Sequence, residues 1–430
     1  MRVLILTWEF PPMITGGLGM ACYGIVRELL KQGTEVDLVM PAKKEIYFRL
    51  RKPEDADVLP VVFANPGKEG QAKMLISADI RKLLGNPVSV YHTTGHSSIG
   101  EFEFERLKHS SPFKRVFENL TGEPFLFQQV RHYTQTAVRI AARLDFDVIH
   151  AHDWLTYPAA MLLKRILKKP LVVHVHATEF DRAAGPGDGR IHDIEYLGTK
   201  YADAVLTVSD YTSNIVKEKY KINPDKVKVV HNAYSVSNSE NNQGRIFKET
   251  TVLFLGRITL QKGPDYFLEV ARRVLQHEKN VRFVMAGSGD MEKQVLHKAA
   301  YWGLKTKFLV AGFLERNEVE SILSSTDIFI LPSVSEPFGI APLEAMSYGA
   351  VAIISKNAGV AEVIENAYKV DFWDIDKMVS IIIELIRNPE KCREMSMLGK
   401  AEVVNLQWKN AVQKIVDVFY RVREGEKCLI

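Results

Sequence analysis

Ser333-Val-Ser-Glu-Pro-Phe-Gly-Ile-Ala-Pro-Leu-Glu-Ala-Met-Ser-Tyr-Gly349 is the stretch of sequence that decides the fold. It follows Asp327-Ile-Phe-Ile-Leu331, an apolar run short and β-branched enough to predict a buried parallel strand. Pro342 suits the first turn of a helix, and Leu343-Glu-Ala-Met346 continues that helix with good helix formers. The sequence therefore predicts strand, loop and helix, with Phe338-Gly339-Ile340 where the helix begins.

The beginning of this helix is predicted to bind an anion, because free backbone N–H groups and the positive end of the helix dipole meet there. Glu336 in the loop and Glu344 in the helix flank the site, eight residues apart. A plain phosphate gains nothing from two added negative charges, whereas a ligand with both phosphates and sugar hydroxyls can use them. The pattern therefore predicts a nucleotide-sugar as the ligand.

The bulk properties are those of a globular protein with two domains. The chain has 430 residues, of which 46% are hydrophobic and 25% charged. A net charge of +4 is too small to indicate nucleic-acid binding. Cys22, Cys392 and Cys428 lack metal-ligand spacing, and their odd number provides no disulfide framework. These features predict a protein of the reducing cytoplasm, without a bound metal.

No segment of the sequence is typical of a signal peptide or a membrane span. Met1-Arg-Val-Leu-Ile-Leu6 is too short for a signal sequence, and no apolar run reaches the roughly 18 residues of a spanning helix. The segment from Lys43 to Lys52 mixes basic and aromatic residues. It is interpreted as a solvated face, with peripheral contact to an anionic membrane as the alternative.

The first half of the chain opens with the pattern of a doubly wound α/β domain. A strand at residues 3–6, a turn with Gly16 and Gly17, a helix from Met20 to Lys31 and a strand from Val36 to Met40 follow one another. The glycines do not match the dinucleotide fingerprint, so they do not indicate NAD. They permit close approach of the backbone to a ligand, and a tight turn without a ligand is the alternative.

Polar residues follow the later strands of this half. His152-Asp-Trp154 comes at the carboxyl end of a strand at residues 147–150, where open α/β sheets bind ligands. The strand at residues 171–176 leads to Glu179 and Asp181-Arg182, which line either the acceptor side of a site or a surface loop. The glycine-rich segment from Ala183 to Gly189 is a candidate for a mobile lid.

The second half repeats the strand and helix alternation. Its predicted strands are residues 251–255, 281–285, 307–310, 327–330 and 350–354. Asp374-Ile-Asp376 resembles a metal-binding Asp-x-Asp motif, but Asp376 is better explained as the cap of a helix that ends at Arg387. We therefore predict two doubly wound Rossmann-like domains facing a cleft, residues 1–240 and 245–405, joined by the polar segment 235–244. A last helix within residues 406–430 is expected to cross back to the first domain.

Two cations follow the first strand of the second half. Arg257 and Lys262 are five residues apart, so their side chains can converge on one point. A diphosphate is the usual reason for two cations at the end of a strand.

Together, these features resemble a retaining glycosyltransferase of the GT-B fold, and in particular glycosyltransferase family four, with the glycogen and starch synthases as neighbours. The resemblance rests on Gly16-Gly17, His152-Asp-Trp154, Arg257 with Lys262, and the Glu336 and Glu344 pair. It extends from Trp8 to the last helix and is weakest over residues 43–135.

The resemblance implies a role for each of these residues. The backbone of Gly16 and Gly17 would approach the pyrophosphate, and Arg257 with Lys262 would hold the phosphates and take the charge of the leaving nucleoside diphosphate. The carboxylate of Glu336 would lie near the hydroxyls of the transferred sugar, to which His152 would donate a hydrogen bond. The carboxylate of Glu344 would bind the ribose, and the amides of Phe338, Gly339 and Ile340 would contact sugar and phosphate.

The implied reaction is metal-independent transfer of a hexose of the glucose type to a hydroxyl of a sugar or polysaccharide acceptor. No cofactor beyond the donor substrate is expected. Same-face attack, with the leaving phosphate taking the proton of the acceptor, is implied by the resemblance rather than by the residues. Glycogen and starch synthases have a lysine where this chain has Ile14, which weakens the synthase interpretation because an aliphatic side chain cannot pair with a phosphate.

Three other classes of protein are compatible with parts of the pattern. A nucleotide-sugar epimerase can share the fold and the diphosphate site. A phosphorylase would need a lysine-bound pyridoxal phosphate and a longer chain. A non-catalytic glycan-binding protein is the third alternative, although charges clustered at strand ends would then cost stability without purpose. The base, the sugar, the acceptor and the oligomeric state cannot be predicted from single side chains.

Overall fold

The structure is a computed structural model that describes residues 1–11, 16–41, 47–55, 125–183, 185–234 and 245–425, with three single residues between 113 and 121. The polar segment 235–244, Ile14 and most of residues 43–135 before the helix at Phe125 lie outside the described residues.

The first domain contains a seven-stranded sheet. Its order is β3-β2-β1-β4-β5-β6-β7, in which only the β2–β3 pair is antiparallel. The strands are β1 (Arg2–Leu6), β2 (Glu35–Val39), β3 (Tyr47–Leu50), β4 (Val148–His152), β5 (Leu171–Val175), β6 (Ala204–Thr207) and β7 (Val227–Val229). The central strands are buried along their whole length, as parallel strands covered on both faces must be.

Six helices of the first domain are described. They are α1 (Gly17–Lys31), α2 (Phe125–Ala141), α3 (Tyr157–Leu167), α4 (Glu179–Ala183), α5 (Gly189–Tyr201) and α6 (Asp210–Glu218). Ser209 begins α6 by accepting a hydrogen bond from the backbone N–H of Thr212, a conventional N-cap.

The second domain contains a six-stranded sheet that is parallel throughout, in the order β10-β9-β8-β11-β12-β13. Its strands are β8 (Thr250–Leu255), β9 (Val281–Ala286), β10 (Phe308–Gly312), β11 (Ile328–Leu331), β12 (Val351–Ser355) and β13 (Tyr368–Val370). Its helices are α7 (Pro264–His277), α8 (Glu292–Tyr301), α9 (Arg316–Ser324), α10 (Ile340–Ser347), α11 (Ile375–Arg387) and α12 (Pro389–Asn405). The prediction of two doubly wound domains is confirmed.

The last helix, α13 (Trp408–Arg423), belongs to the core of the first domain. Its apolar face, with Val412 and Phe419, packs with Ile25 of α1 and with the strands beneath it. Trp408 lies so close to Gly24 that a Cβ there would come within 2.2 Å of the indole. The chain therefore returns to the first domain after it completes the second.

Two local predictions were wrong. The cap of α11 is Asp374, whose carboxylate accepts from the backbone N–H of Lys377, whereas Asp376 lies in the first turn and pairs with Arg273. Tyr47 and Phe48 are buried in an edge strand rather than exposed on a solvated face, and Arg49 pairs with the buried Asp37. These aromatic side chains are therefore not available to a membrane surface. No helix among the described residues is long and apolar enough to cross a membrane.

Candidate active site

The centre of the candidate site is an ion pair between Lys262 and Glu336. Lys262 ends a 3-10 turn (Leu260–Lys262) after β8, and Glu336 lies in the loop after β11, so adjacent parallel strands bring the two side chains to one edge of the sheet. The hydroxyl of Ser333 lies 3.4 Å from the same carboxylate oxygen. Both charged side chains are largely buried, with 17% and 7% exposure, so the pair is held in a mostly desolvated position.

The beginning of α10 presents unused backbone donors beside this pair. Gly339 is the N-cap, with φ 93° and no side-chain cap, and its left-handed backbone favours glycine. Within the described residues, the amides of Phe338, Gly339 and Ile340 donate no hydrogen bond to the protein. A Cβ at Gly339 would lie 3.0 Å from Cγ of Glu336. Three free N–H groups at a helix N-terminus make an anion site, as the sequence pattern indicates.

Glu344 lies one turn into α10 and pairs with Arg316 at the start of α9. Burial raises the pKa of the Glu344 carboxyl, and the guanidinium of Arg316 opposes that shift. Arg316 also pairs with Glu320 at 2.9 Å. A ribose at Glu344 would therefore meet a carboxylate whose orientation is already fixed.

Arg257 lies in the loop directly after β8, and its guanidinium lies 3.4 Å from the amide oxygen of Gln261. Arg257 and Lys262 therefore flank one turn. Among the described residues Lys262 pairs with Glu336, whereas Arg257 forms no ion pair. The structure thus brings Lys262, Glu336 and the α10 amides together and holds Arg257 at the edge of the same loop.

Sequence reasoning missed the loop after β9. Gly287 has φ 135°, and a Cβ there would lie 1.9 Å from the carbonyl oxygen of Gly256. A Cβ at Gly289 would lie 2.2 Å from the carbonyl oxygen of Ile258. The two loops after β8 and β9 can approach this closely only because both positions are glycine. The paired glycines of Gly287-Ser-Gly289 are the signal that could have identified this loop.

The domains contact each other beside Glu336, a contact that could not be predicted from the sequence. The hydroxyl of Ser335 donates to the carboxylate of Asp181 at 2.6 Å, and the hydroxyls of Tyr211 and Ser335 lie 3.0 Å apart. The hydroxyl of Ser209 donates to the backbone carbonyl of Pro337 at 2.6 Å. Helix α4, which holds Asp181, also lies against the 3-10 turn of Lys262. First-domain residues therefore hold both ends of the Glu336 loop.

Glu179 and Asp181 are buried polar residues rather than part of a surface loop, and Arg182 beside them is half-buried. Arg182 pairs with both Glu179 and Glu195 and lies 3.8 Å from Asp153. Burial raises the pKa of Glu195 to about 7 and that of Asp153 to about 6, although the guanidinium opposes both shifts. This network supports α4 and, through it, the contact with Ser335.

The predicted lid segment is attached to the same network. The backbone N–H of Asp188 donates to Glu179 at 3.1 Å, and the carboxylate of Asp188 caps α5. Gly187, with φ 65°, lies against the side chain of Glu179. Movement of this segment stays a prediction.

Gly16 and Gly17 lie where the sequence places them, at the N-terminus of α1. Gly16 is the N-cap, and its backbone N–H donates to the carboxylate of Glu9 at 3.1 Å. A Cβ at either glycine would meet no atom of the described residues within 4 Å. No described hydrogen bond links them to the second domain.

His152 lies inside the first domain. Its ring is fully buried, and Nδ1 lies 2.8 Å from Nε2 of His176. Burial and the neighbouring histidines lower the pKa of His152 well below its ordinary value, so the imidazole is neutral. No described hydrogen bond joins it to a second-domain residue, and its predicted sugar contact stays a prediction. His150 and His174 are also fully buried.

Comparison with known proteins agrees with this architecture. A family model described as "Starch synthase catalytic domain" matches residues 2–227, just over half of the chain, and one described as "Glycosyl transferases group 1" matches residues 237–401. An uncharacterized glycosyltransferase of Methanocaldococcus jannaschii is 29% identical over 381 residues, which cover 85% of this chain and 83% of that protein.

A glycogen synthase of Mycobacterium tuberculosis is 21% identical over 99% of this chain and 96% of its own length. The Anabaena protein HepE, solved in complex with UDP-glucose, has a TM-score of 0.66 at 16% identity, over 97% of this chain and 99% of that one. The chain is a glycosyltransferase of the GT-B fold, as its sequence predicted. It belongs to the family that the starch synthase catalytic domain defines.

Proposed function

We propose that this protein is a retaining, metal-independent hexosyltransferase that moves a glucose-type sugar from a nucleoside-diphosphate sugar to a hydroxyl of a sugar or glycan acceptor. The observation that carries the proposal is the buried pair of Lys262 and Glu336 beside three unused amides of α10. Positive groups for phosphate and a carboxylate for hydroxyls then lie at one point of the cleft.

The donor is proposed to bind with its diphosphate at the α10 amides. Lys262 would exchange part of its contact with Glu336 for a phosphate oxygen, and Arg257 would add a second cation from the same loop. Glu336 would then accept hydrogen bonds from the sugar hydroxyls, and Glu344, already oriented by Arg316, from the ribose. The UDP-glucose in HepE supports a hexose donor of this chemical type.

In the proposed reaction, the bond between the anomeric carbon and the donor phosphate oxygen breaks as the acceptor oxygen approaches. Negative charge grows on the leaving diphosphate, where Lys262, Arg257 and the helix N-terminus stabilise it without reorganisation. This arrangement replaces the divalent cation that other transferases use to neutralise the same charge. Arg257 and Lys262 are thus expected to stabilise the transition state more than they stabilise the bound substrate.

Retention is proposed to follow from attack on the same face that the diphosphate leaves. The acceptor hydroxyl would give its proton to the departing phosphate oxygen, so that no protein base is required. His152 would assist only if one of its ring nitrogens reaches the sugar.

A panel of UDP-, ADP- and GDP-sugars tests the proposal, with nucleoside diphosphate release as the readout and EDTA present. Release from one donor that increases with added sugar or glycan, and falls in Glu336→Ala, supports transfer. An activity that EDTA abolishes and Mg²⁺ or Mn²⁺ restores would contradict metal independence. The anomeric configuration of the product, read by NMR, decides between retention and inversion.

Two alternatives give different results in the same panel. A nucleotide-sugar epimerase would convert the donor without releasing nucleoside diphosphate. A non-catalytic glycan-binding protein would leave every donor unchanged while still binding glycan. Glycogen or starch synthesis is the more specific alternative, supported by the mycobacterial relative, and it requires ADP- or UDP-glucose with a glucan acceptor.

A further inference from the structure

Four histidines form a buried cluster in the first-domain sheet, which we call the histidine ladder. His150 and His152 lie on β4, His174 on β5, and His176 directly after β5. In the parallel register His152 is opposite His174, so the four rings share one face of the sheet. Ring centroids lie 4.2 Å apart for the two β4 histidines and 4.4 Å apart for His174 and His176.

Helices α1 and α13 cover the ladder. His150 contacts the ring of Phe419 in α13 edge to face at 5.1 Å, and the thiol of Cys22 in α1 lies near the other end. Three of the four histidines have no exposed surface, and His176, at 8%, is the one with slight access to solvent. The ladder is therefore an interior polar cluster.

Most of the ladder's nitrogens lack a partner. Nδ1 of His152 and Nε2 of His176 lie 2.8 Å apart, but the other six ring nitrogens make no hydrogen bond within the described part of the chain. A buried polar group without a partner costs about 1–3 kcal/mol. Six such nitrogens in one buried place need an explanation beyond packing, and a species bound within the ladder provides one for those it reaches.

Two groups of possible metal ligands exist in this region. Cys22, His152 and His176 have ligand atoms within 4.8 Å of one another, and so do His150, His152 and His174. Ligand lengths of about 2.3 Å for sulfur and 2.0–2.1 Å for nitrogen around Zn²⁺ place an ion between such atoms after small side-chain adjustments.

Charge favours the group that contains Cys22. Three neutral imidazoles would leave a divalent cation uncompensated in a dry interior, whereas a thiolate supplies a ligand with negative charge. Burial raises the pKa of the Cys22 thiol, and the carboxylates of Asp153 and Glu9 raise it further, so the thiolate forms only as the ion binds. The same two carboxylates would then offset the remaining positive charge. His176, at 8% exposure, is the most exposed residue of this group.

We propose that Cys22, His152 and His176 bind one Zn²⁺ ion. On binding, the Cys22 thiol loses its proton to solvent. Its sulfur lies 3.2 Å from the Thr7 hydroxyl, and the ion either leaves this contact in place or replaces it. The ion would tie α1 to β4 and β5. It is separate from the donor phosphates, for which Arg257 and Lys262 are the proposed cations.

Zinc content of the purified full-length chain tests the proposal. After growth with added zinc and gel filtration, elemental analysis is expected to find about one zinc per chain in wild type. Cys22→Ser is expected to weaken zinc binding by at least about a hundredfold in competition with a chromophoric chelator, because it removes a direct ligand rather than an outer-shell partner. Cys392→Ser is the matched control, because Cys392 lies on α12 of the second domain, and it is expected to bind zinc like wild type.

A second variant keeps the test interpretable if Cys22→Ser does not fold. His176→Gln, at the edge of the ladder, is expected to lose zinc as well, with its circular dichroism unchanged. Co²⁺ in place of zinc is expected to give a thiolate charge-transfer band in wild type and Cys392→Ser, but not in Cys22→Ser. The proposal is overturned if wild type binds neither metal, or if folded Cys22→Ser and His176→Gln bind zinc as tightly as Cys392→Ser.

Discussion

Replacing Lys262 by methionine tests the proposed site most informatively, because it removes a charge and keeps most of the volume. In the described structure Glu336 would then retain the Ser333 hydroxyl at 3.4 Å as its side-chain partner. Breaking a fully buried ion pair costs about 3–5 kcal/mol, and the 17% exposure of Lys262 reduces the expected cost to about 2 kcal/mol. Urea unfolding followed by circular dichroism measures this cost.

The same variant is expected to lose far more activity than stability explains. A preorganised donor to a developing charge contributes about 10²–10³ in kcat, so Lys262→Met should reduce kcat/KM by this factor at a temperature where it stays folded. Lys391→Met is the matched control: its pair with Glu384 joins α12 to α11 and is more exposed, at 37% and 50%. Its loss of stability should be below about 1 kcal/mol, with activity unchanged.

The double variant Lys262→Met/Glu336→Gln separates the two effects. It removes the unpaired buried charge, so part of the lost stability should return, while activity should stay low because the Lys262 cation and the Glu336 carboxylate are both missing. If Lys262→Met keeps its kcat/KM within about threefold of wild type, the cation does not contribute the stabilisation assigned to it. The reasoning also fails if the double variant recovers both stability and activity.

Three further predictions concern parts of the structure around the site: the buried network of Glu195, the loop after β9 and the returning helix α13. Because burial raises the pKa of Glu195 from 4.5 to about 7, the native state holds a proton that the unfolded chain releases. The stability that this proton contributes is present below pH 4.5 and is lost as pH rises to about 7. The free energy of unfolding of wild type, measured in urea, should therefore fall by about 3 kcal/mol over this range relative to that of Glu195→Gln. Gly287→Ala forces a Cβ against the carbonyl oxygen of Gly256. Its decrease in melting temperature relative to wild type should be several times larger than that of Gly303→Ala, where the backbone is also left-handed but a Cβ meets no described atom within 4 Å. Trp408→Ala should cost about 3–5 kcal/mol in urea unfolding, because its indole fills the contact between α13 and α1; a loss below 1 kcal/mol would show that the returning helix is dispensable.

The features that could be predicted from the sequence are local. Buried apolar runs locate the strands of both sheets, and the strand–loop–helix pattern locates Glu336, the α10 amides and Lys262 at one edge, because parallel strands end on the same side. The choice between Asp374 and Asp376 as a helix cap was not determined in this way. Both aspartates fit the cap pattern, and only the backbone conformation distinguishes them.

The features that could not be predicted depend on contacts between distant segments. Ser335 and Asp181 are 154 residues apart, so neither suggests the other in the sequence. The histidine ladder depends on the β4–β5 register, which sets His152 opposite His174. Each strand alone shows only alternating histidines, and these are as compatible with separate core positions as with a cluster.

The central claim is that the diphosphate of a donor sits on the cations and amides at the beginning of α10. Calorimetric titration of UDP, ADP and GDP into wild type, Arg257→Ala and Lys262→Met tests it directly, with EDTA present. We expect one nucleotide to bind wild type, and each cation variant to weaken that binding about tenfold or more. Equal affinity in all three proteins, or no binding of any nucleotide to wild type, would contradict the account.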